Sequence, residues 1–239
     1  KHLTKPIRAI HVMVLAFLMT LSSSVTAQDF DKGLAAYEAK DYSTAFKQLL
    51  PLAEQGNAQA QFIMSRIYIN GFGVIEDYAE GMRWRLLAAS QGLTMAYNKL
   101  GSQYTLGWGG VDKDLIEAAK WYSLSADQGD AEGQYRLAFA YEMGDGVKQD
   151  VAKSKRLYRL AAKQGHWATH DMLGWHYQYG KLGYLQDNLM AHMWFNIASA
   201  TAAQDASQRY SAKARDKVAD KMTPADISKA QAMARECMN

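Results

Sequence analysis

Residues 128–165 read QGDAEGQYRLAFAYEMGDGVKQDVAKSKRLYRLAAKQG, and this stretch decides the fold because its landmarks recur along the chain. The dipeptide Gln-Gly occurs four times with steps of 36, 37 and 36 residues, at Gly56, Gly92, Gly129 and Gly165. An aspartate and a large apolar residue keep the same spacing: Asp77, Asp114, Asp150 and Asp187, and Trp84, Trp121, Leu157 and Trp194. A period of this length indicates a stacked array of helical repeats, an architecture that usually serves as a binding surface.

Within the quoted stretch, the pattern predicts two helices joined by a glycine-rich turn. Asp130 is a favourable N-cap, and apolar residues then recur at helical spacing as far as Tyr141. The glycines of residues 143–147 end this helix, since glycine readily adopts the left-handed conformation that follows a helix C-terminus. Asp150 caps the second helix, which ends at the next Gln-Gly pair.

The ends of the chain depart from the repeat. Residues 29–56 predict a shorter helix pair, in which Pro51 is expected to kink or interrupt the second helix. Residues 201–208 are expected to form a loop or a frayed helix, and Pro224 begins a C-terminal helix that covers the open end of the array. No segment alternates with period two. The predicted fold is therefore all-α, a right-handed α-solenoid of about five helix pairs with a C-terminal capping helix.

The first residues predict a secretory signal peptide. Three basic residues, an apolar run over residues 9–21 and small residues at Val25 and Ala27 form its three parts, with cleavage expected before Gln28. The apolar run is shorter than the roughly 20 residues of a membrane span, so we expect cleavage rather than an uncleaved anchor. The protein is thus expected to be periplasmic or secreted, without stable membrane insertion after cleavage.

Charge and cysteine content narrow the classes of partner. Without the three basic residues of the predicted signal peptide, 24 Lys and Arg balance 24 Asp and Glu. This balance argues against nucleic-acid binding, which needs a basic surface. Cys237 is the only cysteine, so an internal disulfide is impossible. Its thiol either pairs with another chain or serves as a small apolar group on the last helix.

Three motifs make the units resemble Sel1-like repeats, which are related to tetratricopeptide repeats. These motifs are Leu100-Gly101-x-x-Tyr104, Gly144-x-Gly146-Val147-x-x-Asp150, and Ala118-x-x-Trp121-Tyr122 followed by Gln128-Gly129. The resemblance covers about residues 29–203, and residues 191–196 and 222–236 resemble the ends of exported bacterial members. It implies an adaptor or scaffold that binds other proteins. A disulfide-rich subset is linked to binding of penicillin-like compounds, but this chain lacks its paired cysteines.

The resemblance also implies a concave groove lined by the first helix of each unit. Its offsets give the candidate binding residues Phe62, Arg66, Asn70, Asn98, Ser102, Tyr135, Phe139, Glu142, Asp171, Trp175, Gln178 and Tyr179. These positions mix aromatic and hydrogen-bonding side chains, as binding hot spots do. The aromatic members are alternatively packing residues between units. We expect a protein or peptide ligand, and the alternative is a small molecule or cell-wall fragment such as peptidoglycan or a β-lactam.

The sequence gives little indication of catalysis or cofactor binding. His166 and His170 are four residues apart, a spacing that can bind a metal, but the glutamate of a zinc-protease motif is missing. We expect His166 at a helix cap, His170 exposed and His192 structural. The glycine-rich turns follow helices and lack a phosphate-loop ending. The chain is therefore predicted to be non-enzymatic, with no catalytic residues, no metal and no cofactor.

These observations predict the domain organisation. The expected segments are a signal peptide (1–27), an N-terminal helix pair (28–56), four repeat units (57–92, 93–129, 130–165 and 166–203) and a capping segment (204–239).

Overall fold

The computed structural model describes residues 29–203 and 205–238, and the predicted signal peptide lies outside them. The described part is helical and contains no β-strand. Its helices are α1 (residues 29–38), α2 (Tyr42–Glu54), α3 (Ala58–Asn70), α4 (Tyr78–Ser90), α5 (Thr94–Leu106), α6 (Leu115–Asp127), α7 (Ala131–Met143), α8 (Val151–Lys163), α9 (Trp167–Tyr179), α10 (Asn188–Thr201), α11 (Asp205–Ala219) and α12 (Pro224–Met238). The prediction of an all-α helical-repeat fold is confirmed.

Aspartates of the repeat cap the second helix of each unit. The Asp150 side chain accepts a hydrogen bond from the backbone N–H of Lys153 at 2.9 Å, and Asp77, Asp114 and Asp187 do the same for their helices. Asp130 caps α7 in this way, as predicted. Gly144 ends α7 in the left-handed conformation, with φ of 79°. The period seen in the sequence is therefore, in large part, a period of helix caps.

The small residue of each Leu-Gly pair permits close approach of two helices. A Cβ atom added at Gly174 on α9 would lie 2.6 Å from the ring of Phe195 on α10, and one at Gly101 would lie 2.5 Å from the ring of Tyr122. Real carbon contacts are longer than this. Glycine is thus required here by packing against the aromatic residue of the second helix.

Glutamines of the Gln-Gly pairs join the end of a unit to the first helix of the same unit. Gln91 donates from Nε2 to Oε1 of Gln61 at 2.8 Å, and Gln164 donates to Oε1 of Gln134 at 2.9 Å. Both acceptors are buried, so each hydrogen bond pairs an oxygen atom whose burial without a partner would cost free energy. The Gln-Gly pair therefore has a second role besides ending a helix.

The chain divides into two compact units, which are described separately. In the first, residues 29–96 with Gly109–Val111, helices α1–α4 enclose a core around Leu49, Met64 and Trp84. Helix α2 runs through Pro51 to Glu54, so the proline does not interrupt it. An interrupted helix at Pro51, one of the two alternatives expected there, is not found.

The second unit comprises Tyr97–Trp108 and the chain from Asp112 onward. Tyr122, Leu157 and Tyr158 lie in its central core, while α10 packs against α9, α11 and α12. Helix α11 begins at Asp205, inside the stretch expected to be loop or frayed helix. The capping segment thus contains two helices rather than one. On α12, Ala230 and Ala234 are buried against Met193 and Ile197, whereas Cys237 is exposed.

Candidate functional site

The candidate groove residues fall into two repeat positions with different environments. Phe62, Asn98, Tyr135 and Asp171 occupy corresponding places on the first helices. Phe62 is only 6% exposed. The other three contact a following part of the array: Asn98 donates to Asp130 at 2.7 Å, the Tyr135 ring lies 5.0 Å from the His166 ring, and Asp171 accepts from Ser211 within α11 at 2.7 Å. This position therefore holds the units together rather than facing a partner.

The position four residues later is more open. It is occupied by Arg66, Ser102, Phe139 and Trp175. Arg66 is exposed and its guanidinium lies 5.0 Å from the centre of the Tyr37 ring, while Ser102 is half-buried. Phe139 is 38% exposed, so part of its ring is accessible to a partner. This second position supplies the accessible side chains.

The last turn of each first helix is mixed. Asn70 is exposed, but its Nδ2 donates to the carbonyl of Arg66 at 2.7 Å. Gln178 is buried, whereas its neighbour Tyr179 is 55% exposed. We therefore leave Phe62 and Gln178 out of the proposed surface, because a partner has no access to them.

In the second unit, α7 and α9 form a surface that we call the α7–α9 surface. Its members are Phe139, Glu142, Met143, Met172, Trp175 and Tyr179. All of them except Phe139, one turn before Met143, line a cavity of about 470 Å³. The side chains of Met143 and Tyr179 are more than half exposed. This surface combines exposed apolar groups with a concave shape, as binding sites do.

Trp175 is anchored at the centre of this surface. Its indole Nε1 donates to Asp171 at 3.0 Å, and its ring stacks on Tyr179 at 5.7 Å. The Trp175 ring also contacts the rings of Phe195 and Tyr210, with 5.2 Å and 6.2 Å between ring centres. Burial raises the pKa of Asp171, although the hydrogen bonds from Ser211 and Trp175 act against this rise. The ring is thus partly core and partly surface, in a fixed orientation.

Glu142 lies at the edge of the cavity and joins three helices. Its Oε1 accepts from Nε2 of His176 at 3.0 Å, and its Oε2 accepts from the hydroxyl of Tyr158 at 2.8 Å. Burial alone raises the pKa of Glu142, but the hydrogen bond and charge of His176 outweigh it, and the pKa lies below its ordinary value. Because both oxygens are engaged, this carboxylate stabilises the array.

The two histidines whose spacing could bind a metal, His166 and His170, form hydrogen bonds with different residues. His166 hydrogen-bonds Glu132 at 2.9 Å through Nε2 and Thr169 at 2.9 Å through Nδ1. His166 is the N-cap residue of α9 by position, as expected, but its side chain does not bond a backbone N–H. His170 is 4% exposed and contacts Trp194, so the expectation of an exposed residue was wrong. His192 is buried, as a structural residue would be.

No cluster of three or more His, Cys, Asp or Glu side chains in residues 29–203 and 205–238 is placed to hold a metal ion. In the same part of the chain, none of the helices has the length and hydropathy needed to cross a bilayer.

Several surface residues were missed because only fixed offsets on the first helices were considered. Met143 occupies the repeat position of Asn70 and Tyr179 but was not chosen, Met172 lies next to Asp171, and Lys181 and Leu182 come from the turn after α9. Tyr210 contacts Trp175 from α11, a helix that the sequence did not predict. The exposed methionines within the repeat pattern were the available indication, since methionine is frequent on adaptable binding surfaces.

Four stretches of the chain match the Sel1 repeat family, at residues 58–93, 94–130, 131–166 and 170–200, and together they cover more than half of it. The chain belongs to the Sel1 repeat family. Such proteins are generally scaffolds for protein interactions.

Relatives of known description share the repeats. Protein sel-1 homolog 2 of Rattus norvegicus is 30% identical over 141 residues, and that of Homo sapiens is 31% identical over the same length. The match takes in 57% of this chain and spans only 20% of either relative's length.

Two crystal structures are similar in fold. A Sel1 repeat protein from Oxalobacter formigenes has a TM-score of 0.66 at 28% identity, covering 79% of this chain and 75% of that one. The protein c5321, described as a protective antigen of uropathogenic Escherichia coli with an SLR fold, has a TM-score of 0.54 at 25% identity, covering 89% and 53%.

Proposed function

We propose that this Sel1 repeat protein is a non-enzymatic adaptor that binds a protein or peptide through the α7–α9 surface. The observation that carries the proposal is the exposure of Phe139, Met143 and Tyr179 around a concave site whose central ring, Trp175, is fixed by its neighbours. Fixed aromatic side chains lose little entropy on binding, and such residues dominate interface energies.

The charge and polarity of the surface support a peptide-like partner. The carboxylates of Glu142 and Asp171 are already hydrogen-bonded within the chain, so the groups left free to contact a partner are mainly the exposed apolar side chains. The overall balance of acidic and basic residues favours a protein over a nucleic acid. We further propose export to the periplasm or the medium, on the basis of residues 1–27. N-terminal sequencing of the exported protein is expected to find Gln28 as its first residue.

The test compares two double variants. Phe139→Ser/Tyr179→Ser removes exposed apolar groups from the proposed surface, and Leu86→Ser/Leu124→Ser removes similarly exposed groups, 41% and 44% exposed, from second helices. A partner is first captured with the wild-type protein, identified, and titrated against all three proteins by calorimetry.

We expect the surface variant to lose about 2 kcal/mol or more of binding free energy, as hot-spot truncations do, which is roughly thirtyfold in Kd. The control variant is expected to bind as the wild type does. Equal binding by both variants, or a larger loss in the control, would place the interface elsewhere.

A further inference from the structure

A second and larger concave site lies on the other side of α9. This cavity, which we call the α8–α10 cavity, has a volume of about 710 Å³ and is walled by α8, α9, α10 and the end of α12. It shares no lining residue with the cavity of the α7–α9 surface. Its volume falls in the range of sites for small organic ligands. Nothing in the proposed adaptor function requires it.

The floor of the α8–α10 cavity is apolar. Leu173, Trp194 and Ile197 lie on its inner wall, and Tyr177 and Tyr184 add two rings. Burial lowers the pKa of His170, which also lines the cavity, so its ring is neutral at neutral pH. Nε2 and Nδ1 of that ring are engaged with the carbonyl of Ala162 at 3.0 Å and the hydroxyl of Thr201 at 3.3 Å. The interior is therefore uncharged and suited to hydrocarbon.

The rim of the cavity is basic. Arg156, Arg159 and Lys163 come from one face of α8, at spacings of three and four residues, and all three are exposed. No acidic residue lines the cavity, and none of the three forms a salt bridge within the described residues. Burial raises the pKa of the Tyr184 hydroxyl at the wall, and the nearby Arg159 guanidinium acts against this rise. Asp187 is the carboxylate that acts on the same lining residue, Tyr177, as Arg159 does, but it does not line the cavity. Three cations beside an apolar cavity that no carboxylate lines favour an anionic ligand group.

One polar atom of the lining residues has no partner in the described chain. Nε1 of Trp194 is buried and makes no hydrogen bond there. The indole Nε1 atoms of Trp84 and Trp121, at the corresponding positions of earlier repeats, are also buried without a partner, so this is a property of the repeat position and does not itself indicate a ligand. The residue stacks on His170 at 5.6 Å, which holds the indole ring in the wall of the cavity.

We propose that the α8–α10 cavity binds a single-chain anionic amphiphile, whose hydrocarbon chain lies against Leu173, Trp194 and Ile197 and whose anionic head contacts Arg156, Arg159 and Lys163. A fatty-acid carboxylate and a lysophospholipid phosphate share this chemistry. A peptide fits less well, because its backbone N–H and C=O groups would find few partners on an apolar floor.

The test uses the full-length protein and titrates it by calorimetry with three probes of equal chain length, the two ionic probes below their micellar concentrations and the alcohol below its solubility limit. The probes are dodecanoate, dodecan-1-ol and dodecylammonium. We expect dodecanoate to bind with a stoichiometry of one and at least tenfold more tightly than either of the others. Lysophosphatidic acid with the same chain is the fourth arm, and its affinity relative to dodecanoate identifies the preferred head group.

The variant Arg156→Gln/Lys163→Gln removes two charges from the rim while preserving side-chain length. We expect it to weaken dodecanoate binding by roughly tenfold or more, since charge-assisted hydrogen bonds are lost, and to leave binding of dodecan-1-ol unchanged. The control Arg209→Gln/Lys213→Gln makes the same change in net charge on α11, away from the cavity, and is expected to bind as the wild type does.

A separate variant tests the head-group end of the cavity with a charge of the opposite sign. Leu160 lines the cavity and is 40% exposed, so Leu160→Asp preserves the fold while placing a negative charge beside the expected head group. It is expected to abolish dodecanoate binding with an unchanged circular dichroism spectrum.

The proposal is overturned if dodecanoate does not bind, if dodecylammonium binds equally well, or if the rim variant and its control behave alike. Binding of an acidic peptide or of a second copy of the chain, without binding of dodecanoate, would also overturn it.

Discussion

The glycine-rich turn between α7 and α8 makes a contact whose strength can be measured with a matched pair of variants. Gly146 and Gly165 both have left-handed backbones, with φ of 71° and 76°. A Cβ atom added at Gly146 would overlap the carbonyl group of Leu115, at the start of α6, and would lie 2.7 Å from the backbone nitrogen of Ile116. A Cβ atom added at Gly165 would have nothing within 4 Å. The two substitutions to alanine therefore share the backbone strain and differ in this contact.

The expected loss in the free energy of unfolding follows from the backbone strain and from the contact with α6. Left-handed strain, partly offset by the lower entropy of the unfolded chain, costs about 1 kcal/mol at either position. Displacing backbone atoms of α6 adds about 1–3 kcal/mol for Gly146→Ala, as overpacking does. A difference of about 2 kcal/mol corresponds to roughly 4–8 °C in Tm for a chain of this size.

The assay is thermal unfolding followed by circular dichroism for the wild type and both variants at equal concentration. We expect Gly165→Ala to melt a few degrees below the wild type and Gly146→Ala to melt clearly lower still. Equal Tm values for the two variants would refute the argument, because they would show that the turn at Gly146 is not in close contact with the start of α6.

Three further predictions concern packing, pH and capping. Gly174→Ala is expected to lower the free energy of unfolding by about 1–3 kcal/mol in urea titrations, because the added methyl group meets the ring of Phe195; an unchanged midpoint would contradict the close approach of α9 and α10. Burial raises the pKa of Glu132, but the hydrogen bond from its histidine partner and the charge of Arg136 outweigh this and lower it to about 2. A lowered carboxyl pKa contributes stability above the ordinary value of 4.5 that is lost as the pH falls towards 2. Melting curves should thus show the wild type to be more stable than Glu132→Gln at pH 6, by about 1 kcal/mol or less because this carboxylate is partly exposed to water. Near pH 2 the two proteins should be equally stable, and a difference that persists in acid would be inconsistent with the pairing. Asp150→Ala removes the side-chain cap of α8 and is expected to cost about 1 kcal/mol in the same urea titrations, whereas Asp150→Asn should cost less.

Local features of the fold could be predicted from the sequence because they depend on neighbouring residues. Asp130 and Asp150 accept hydrogen bonds from backbone groups three residues away, so their caps follow from the residue type and the period alone. The same reasoning did not foresee α11. Its helix starts in a small, polar stretch, and it is stabilised by distant partners such as the Ser211 hydroxyl bonded to Asp171, 40 residues earlier.

The candidate surface could be predicted only in part, for a related reason. Offsets along the repeat identified Phe139 and Tyr179, which are exposed, together with Phe62, which is buried. Equivalent positions differ because exposure depends on what the neighbouring helices supply, and that information is spread over residues far apart in the chain. The α8–α10 cavity was missed for the same reason, since its walls come from four helices.

The central claim, that the α7–α9 surface binds the partner, is tested most directly by photocrosslinking in an extract of the source cells. A photoreactive phenylalanine analogue replaces Tyr179 in one protein and the similarly exposed Leu124 on α6 in another. We predict that irradiation joins a discrete partner to the protein labelled at Tyr179 and not to the one labelled at Leu124. Crosslinking at Leu124 alone, or equally at both positions, would contradict the account.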